Sequence, residues 1–188
     1  MRKLMIVLAA IAMASATHAA VVKWQTDAVK LPGTTTNMSG SNTALYFYAA
    51  EISDPWGTKA TASGEGDAVT YTIAASSGLG GTSYKSGKAT ITPSTEYSNG
   101  DTAYATVIIT YDSNGDGKIG VGDYYMTGSG SYTLVSDVGT TKSVTMGSWT
   151  QITASSGGGG GDSGAPEPTS GLLLLVGAGI LGLRRKRA

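Results

Sequence analysis

Apolar and polar residues alternate along much of the chain between about Val21 and Ala154. Val69, Tyr71 and Ile73 are separated by Thr70 and Thr72, and Ala103, Ala105, Val107, Ile109 and Tyr111 by Tyr104, Thr106, Ile108 and Thr110. Leu45, Phe47 and Ala49 make another such face, as do Tyr132 with Leu134 and Val144 with Met146. A period of two sends successive side chains to opposite sides of a strand. The pattern therefore predicts half-buried strands with one face inward and one toward water, as in antiparallel sheets. No convincing helical period appears in this region. Gly, Asn, Asp and Ser punctuate the runs at Ser63 to Asp67, Ser76 to Gly81, Ser98 to Asp101 and Ser113 to Asp116. That rhythm predicts an all-β fold, an antiparallel β-sandwich-like single domain of about eight strands spanning 20–154. Its core is modest, with one Phe and many inward Ala, Thr and Tyr.

The ends follow different rules. Arg2 and Lys3, the apolar stretch Leu4 to Ala14, and Thr17-His18-Ala19 have the three parts of a secretory signal peptide, 1–19, cut before Ala20 by signal peptidase. About a dozen apolar residues is short of the roughly 20 that span a bilayer. Residues 155–165 form a Gly/Ser linker around Gly157 to Gly161. A phosphate-cradling role for this run would need a preceding strand, a following helix and a Lys, and the sequence offers none of them there. The tail, 166–188, has three parts in order. Pro166-Glu167-Pro168 is extended, because proline fixes its own φ and restricts its predecessor. An apolar segment predicted as a helix follows over 171–183, and then the basic stop Arg184, Arg185, Lys186 and Arg187. As a helix the apolar run rises roughly 20 Å, against about 30 Å of hydrocarbon, so it is short for a permanent anchor. The basic cluster orients the C-terminus to the cytoplasm and the domain to the outside.

Charge then changes the picture. The formal net charge of zero hides an acidic body: between Ala20 and Glu167 there are 7 lysines against 13 acids, a net of −6. Such a body disfavours nucleic acid and anionic lipid as partners. The single histidine, His18, lies in the signal peptide, and there is no cysteine. Thiol catalysis, Cys/His zinc sites, disulfides and a Ser-His-Asp triad in the processed chain are all excluded.

Pro166-Glu167-Pro168, the Leu- and Gly-rich run and the terminal basic cluster together resemble the PEP-CTERM sorting signal of Gram-negative bacteria. The resemblance covers about Pro166 to Ala188. It implies recognition by exosortase, a membrane-embedded cysteine transpeptidase that cuts near the motif. It also implies export to the cell surface, outer membrane or extracellular matrix after a transient stay in the inner membrane, with extracellular polysaccharide as a candidate partner. The alternative for the tail is an ordinary single-pass anchor.

One segment has ligand chemistry. Asp112-Ser113-Asn114-Gly115-Asp116-Gly117-Lys118-Ile119-Gly120-Val121-Gly122-Asp123 has the spacing of a twelve-residue calcium loop. Asp112, Asn114 and Asp116 stand at positions one, three and five, and Gly117 at the sharp turn. Lys118 offers its backbone carbonyl at seven, Ile119 is expected to pin the loop to the core, and Asp123 closes it at twelve. Calcium takes six to eight hard oxygens, which these groups and water can supply. The segment resembles the calcium loop of dockerins, with Asp in place of Glu at twelve. It is present once instead of twice and its flanks read as strands, so no cohesin partner is implied. The competing interpretation is a tight Asn114-Gly115 hairpin turn.

The remaining chemistry is diffuse. Glu51, Asp54, Glu65, Asp67, Glu96 and Asp101 are scattered over expected loops and strand ends, a weak basis for a carboxylate-based glycoside hydrolase. Trp24, Trp56 and Trp149 fit a core better than a sugar platform. Trp56, in the expected turn Asp54 to Gly57, is the best candidate for an exposed ring. The sequence thus predicts no enzyme. It points to a non-catalytic exported surface or matrix protein with a structural calcium loop, the alternative being a polysaccharide-binding module.

Overall fold

The computed structural model describes residues 19–135 and 139–154. The bulk of the expected signal peptide, the linker, the Pro166–Pro168 motif, the 171–183 helix and the 184–187 basic stop lie outside the described residues. In chain order the elements begin with β1 (Val22–Thr26), β2 (Thr43–Tyr48), the short helix α1 (Pro55–Lys59), β3 (Ala60–Ser63) and β4 (Thr70–Ile73). They continue with β5 (Leu79–Lys85), β6 (Lys88–Pro93), β7 (Thr102–Tyr111), β8 (Ile119–Gly120), β9 (Tyr124–Thr133), β10 (Thr140–Met146) and β11 (Thr150–Gln151).

The protein is predominantly β. The main sheet runs β2-β7-β9-β10-β1-β6-β5, with β11 paired to β9, and a second, three-stranded sheet runs β3-β4-β8. The main sheet is barrel-like and nearly closed: Ser77, just before β5, bridges Tyr48 at the end of β2. Ser77 N donates to Phe47 O (2.9 Å) and Ala49 N to Ser77 O (3.2 Å). The closing Tyr48–Ser77 bridge is parallel, and one strand pair also departs from the expected antiparallel order. β1 lies parallel to β10, from Val22↔Thr140 to Thr26↔Val144, while its other edge pairs antiparallel with β6.

β7 and β9 form the backbone of the sheet, in register from Thr102↔Thr133 to Tyr111↔Tyr124. β-branched and aromatic residues dominate β7, as a pleated, buried strand favours. Its Ala103, Ala105, Val107 and Ile109 enter the core with Val22, Trp24, Phe47, Ile91 and Val144, as the alternation predicts. Trp24 is fully buried, and the chain makes room for it with glycine. A Cβ on Gly130 would stand 2.9 Å from the Trp24 ring and 2.9 Å from Ser143 O.

The opposite face of β7 corrects the sequence reading. Thr106, Ile108 and Thr110, expected to face water, are fully buried. The residues beside them in register are Tyr48, Tyr46 and Ala44 on β2 and Ser129, Thr127 and Tyr125 on β9. Contacts with the segment from Ala50 to Ala74 explain this burial. Tyr48 donates its hydroxyl to Ala74 O (2.6 Å), Thr106 donates to Ala50 O (2.7 Å), and Trp56 stacks on Tyr125. Tyr48, Val69, Ile108 and Ile152 are buried outside the main core cluster.

The helix α1 is a second departure. Asp54 caps it by accepting from Gly57 N (3.0 Å), and Pro55 occupies the first turn, where its missing N–H costs nothing. The same Asp-Pro pair fits a turn equally well, which is why the sequence reads as one. No helix among the described residues is long and apolar enough to cross a membrane.

Candidate calcium loop and the cleft beside it

The loop from Asp112 to Asp123 leaves the end of β7 and returns into β9, so its flanks are strands, as its sequence implies. Gly117 does what the spacing requires: its φ is 79°, in the left-handed region that side chains rarely adopt, and Gly115 and Gly122 share that region with φ of 74° and 97°. Ile119 does not pin the loop to the main core. It is half-buried in β8 and pairs with Tyr71 of β4, while Gly120 pairs with Thr70. The second half of the loop is therefore an edge of the small sheet.

The acids are held by the loop's own donors. Asp112 is 8% exposed; its Oδ1 accepts from Gly115 N (2.6 Å) and its Oδ2 from Gly117 N (2.8 Å). Asp123 is 1% exposed; its Oδ1 accepts from Ser113 N (2.8 Å) and Ser113 Oγ (2.9 Å), and its Oδ2 from Gly120 N (2.9 Å). Between them, Asn114 Oδ1 accepts from Asp116 N and Asp116 Oδ1 from Lys118 N, each at 2.8 Å, two successive Asx turns. Asn114, Asp116 and Lys118 are exposed. The loop is also tied from outside. Asp112 N donates to Asn42 O (2.9 Å), Ile152 N to Asp123 O (2.8 Å), and Gln151 Nε2 to Gly122 O (3.2 Å).

The loop carries oxygen atoms of the kind a hard cation takes, several of them already accepting hydrogen bonds. A carboxylate oxygen accepts about two hydrogen bonds. After the bonds above, Asp112 keeps acceptor capacity on both oxygens and Asp123 keeps it on Oδ2. Among the described residues no three His, Cys, Asp or Glu side chains are grouped to hold a metal ion. Calcium here would thus draw on Asn114, the Lys118 carbonyl and water as well as on carboxylates. Ser113 and Gln151 hold the loop but carry no signal in the sequence; Gln151 lies 29 residues from its partner.

Beside the loop, toward β2, lies a cleft of about 220 Å³ lined by Asn42, Thr43, Ala44, Tyr46, Thr110 and Asp112, among others. Burial raises the Tyr46 hydroxyl above its usual pKa of 10.0.

The tryptophans are all engaged. Trp24 fills the core. Trp56, expected to be the exposed ring, is half-buried; it stacks on Tyr125 at 3.9 Å between centroids and 8° between planes, and leans on Tyr71 at 5.1 Å. Trp149 donates Nε1–H to Lys30 O (2.7 Å) and meets Tyr111 edge-on. Asp54 caps α1, and Asp101 closes the Ser98–Asp101 turn by accepting from Ser98 N (2.8 Å).

No protein-family model matches this chain, and neither the curated proteins nor the solved structures contain a match to it.

Proposed function

We propose that this chain is an exported, non-catalytic surface or extracellular-matrix protein, sorted by an exosortase-type transpeptidase through its C-terminal tail. The observation that carries this reading is the order of three parts at one end: Pro166-Glu167-Pro168, the apolar run 171–183 and the basic residues 184–187. The start of the folded domain supports it. Ala20, the first residue after the expected cleavage site, is 4% exposed and exchanges backbone hydrogen bonds with Tyr97 (2.8 and 3.0 Å). Cleavage after Ala19 turns the Ala20 amide into a terminal ammonium, which can still donate to Tyr97 O, and leaves the Tyr97 N to Ala20 O bond in place. The packing of β3-β4-β8 against the outer side of β2, β7 and β9 is what we read as the sandwich-like layering. Substituting Pro166 and Glu167 by Ala is expected to trap the protein in the inner membrane, while the unsubstituted chain reaches the surface. Equal delivery of both to the surface refutes the reading.

The Asp112–Asp123 loop serves this role as a structural calcium clamp. It joins β7 to β9 and carries β8, so an ion there closes the small sheet against the main one and offsets part of the −6 charge of the body. EDTA is expected to lower the melting temperature and added calcium to restore it, with the response lost in Asp116→Ala. An unchanged midpoint in EDTA, with Asp116→Ala equally indifferent, rules the clamp out. The helix cap of Asp54, the turn bond of Asp101 and the loop bonds of Asp112 and Asp123 give four of the acids structural duties, which supports a non-catalytic domain.

A further inference from the structure

We propose that the cleft at the end of the barrel beside Trp149 binds one soft monovalent cation, of the copper(I) and silver(I) class, through the thioethers of Met126 and Met146. The inference goes beyond the sorting reading and the calcium clamp and uses none of their residues.

The cleft has a volume of about 350 Å³ and is lined by Asp27, Val29, Lys30, Met126, Met146 and Trp149, among others. Three methionines follow the expected signal peptide, Met38, Met126 and Met146, and two of them line this one cleft. The sheet sets those two side by side. Met146 of β10 stands opposite Gly128 of β9, and Met126 lies two residues along β9 on the same, core-facing side. Diagonal neighbours of this kind are about 7–8 Å apart, within reach of long side chains. Gly128 permits a closer approach of the sulfurs. A Cβ there would collide with Met146 Sδ, so that sulfur fills the space of the missing side chain, next to Met126. Trp149 forms a further wall. Its Nε1 donates to Lys30 O (2.7 Å) and Tyr111 meets its ring edge-on, which together fix the ring in place.

The chemistry selects the ion. A thioether sulfur is neutral and polarisable, and it cannot replace the oxygen ligands that calcium and magnesium take. Zinc calls for Cys, His or carboxylates, and neither Cys nor His occurs after His18. Copper(I), and silver(I) as its heavier congener, are the ions that thioethers favour. The face of a Trp ring attracts a cation more strongly than any other aromatic side chain. Asp27 and Lys30, both exposed at the cleft, carry opposite charges that offset each other. With no net charge in the cleft to compensate it, a singly charged ion enters at lower cost than a doubly charged one.

The test uses the full chain in detergent, labelled with carbon-13 at the methionine methyl groups and titrated with silver nitrate in chloride-free buffer under NMR. The Met126 and Met146 signals are expected to shift together and to saturate at one silver ion per chain. They should do so at a silver concentration at least tenfold below the one that moves Met1, Met5 and Met13, which carry the same thioether without the cleft. Met126→Leu and Met146→Leu, which nearly conserve volume, should each weaken binding at least tenfold while the melting temperature stays close to that of the parent. Met38→Leu, whose side chain does not line the cleft, should leave binding unchanged. The same response in excess calcium and in Asp116→Ala separates this site from the fate of the clamp. Silver that moves all the methionine signals at one concentration overturns the proposal, and the parent chain alone gives that result even where a variant fails to fold. So does tight binding that survives both cleft variants, or a cleft that responds to toluene and not to silver, which marks a purely apolar pocket.

Discussion

Asp123→Ala tests whether the loop is a built element or a passive connection. Asp123 is 1% exposed and its two oxygens accept three hydrogen bonds, from Ser113 N, Ser113 Oγ and Gly120 N. Hydrogen bonds to a charged group are worth about 1.5–3 kcal/mol each, and a buried donor left without a partner costs about 1–3 kcal/mol. Ser113 is exposed and its hydroxyl also has Gly122 O at 3.2 Å, so water and that carbonyl recover part of the loss. Gly120 N, half-buried at the edge of the small sheet, recovers less. The net cost is about 2–4 kcal/mol, which for a domain of this size lowers the melting temperature by roughly 10 °C. Asp101→Ala is the internal control. It removes one carboxylate–amide bond of the same length, 2.8 Å to Ser98 N, but in an exposed turn, so it should cost about 1 kcal/mol or less. Thermal unfolding followed by far-ultraviolet circular dichroism, at fixed calcium, measures both. If Asp123→Ala and Asp101→Ala fall equally, or if Asp123→Ala is neutral, burial of the Asp123 carboxylate is not what organises the loop.

Gly130→Ala should destabilise by about 1–3 kcal/mol, since its Cβ would press on the buried Trp24 ring and on Ser143 O, neither of which can withdraw; a neutral urea midpoint contradicts that packing. Trp24→Ala should cost about 3–5 kcal/mol by the same assay, as an internal cavity replaces a fully buried ring. Burial raises the hydroxyl pKa values of Tyr46, Tyr48, Tyr71, Tyr84 and Tyr97 above 10.0. The unfolded chain then loses these protons first, so the stability they contribute is complete below about pH 10 and declines as pH rises through the folded values. A urea midpoint that does not fall between about pH 9 and pH 11 refutes this.

The all-β class was legible because alternation is local: Ala103 to Ile109 announce one inward face without help from the rest of the chain. Two features were not, because both depend on distant partners. Thr106, Ile108 and Thr110 look like a solvent face until the Ala50–Ala74 segment is brought over them, and nothing in β7 itself signals that cover. The parallel pairing of β1 with β10 joins residues more than a hundred positions apart. In the loop, Gly117 was readable from the sharp turn a calcium loop makes there and Gly115 from the competing Asn-Gly turn, while the left-handed Gly122 was not foreseen. The acids were readable from their spacing. The capping of Asp123 by Ser113 and Gly120 was not, since the calcium pattern gives those positions no role.

The most direct test of the whole account is the intact mass of the protein recovered from cells with and without an exosortase. With the enzyme, the account predicts a surface or extracellular form that begins at Ala20 and ends near Pro166–Pro168. Without it, the chain should begin at Ala20, keep its basic C-terminus and remain in the inner membrane. A chain of 188 residues, uncut at both ends and recovered from the cell interior in both strains, contradicts the account.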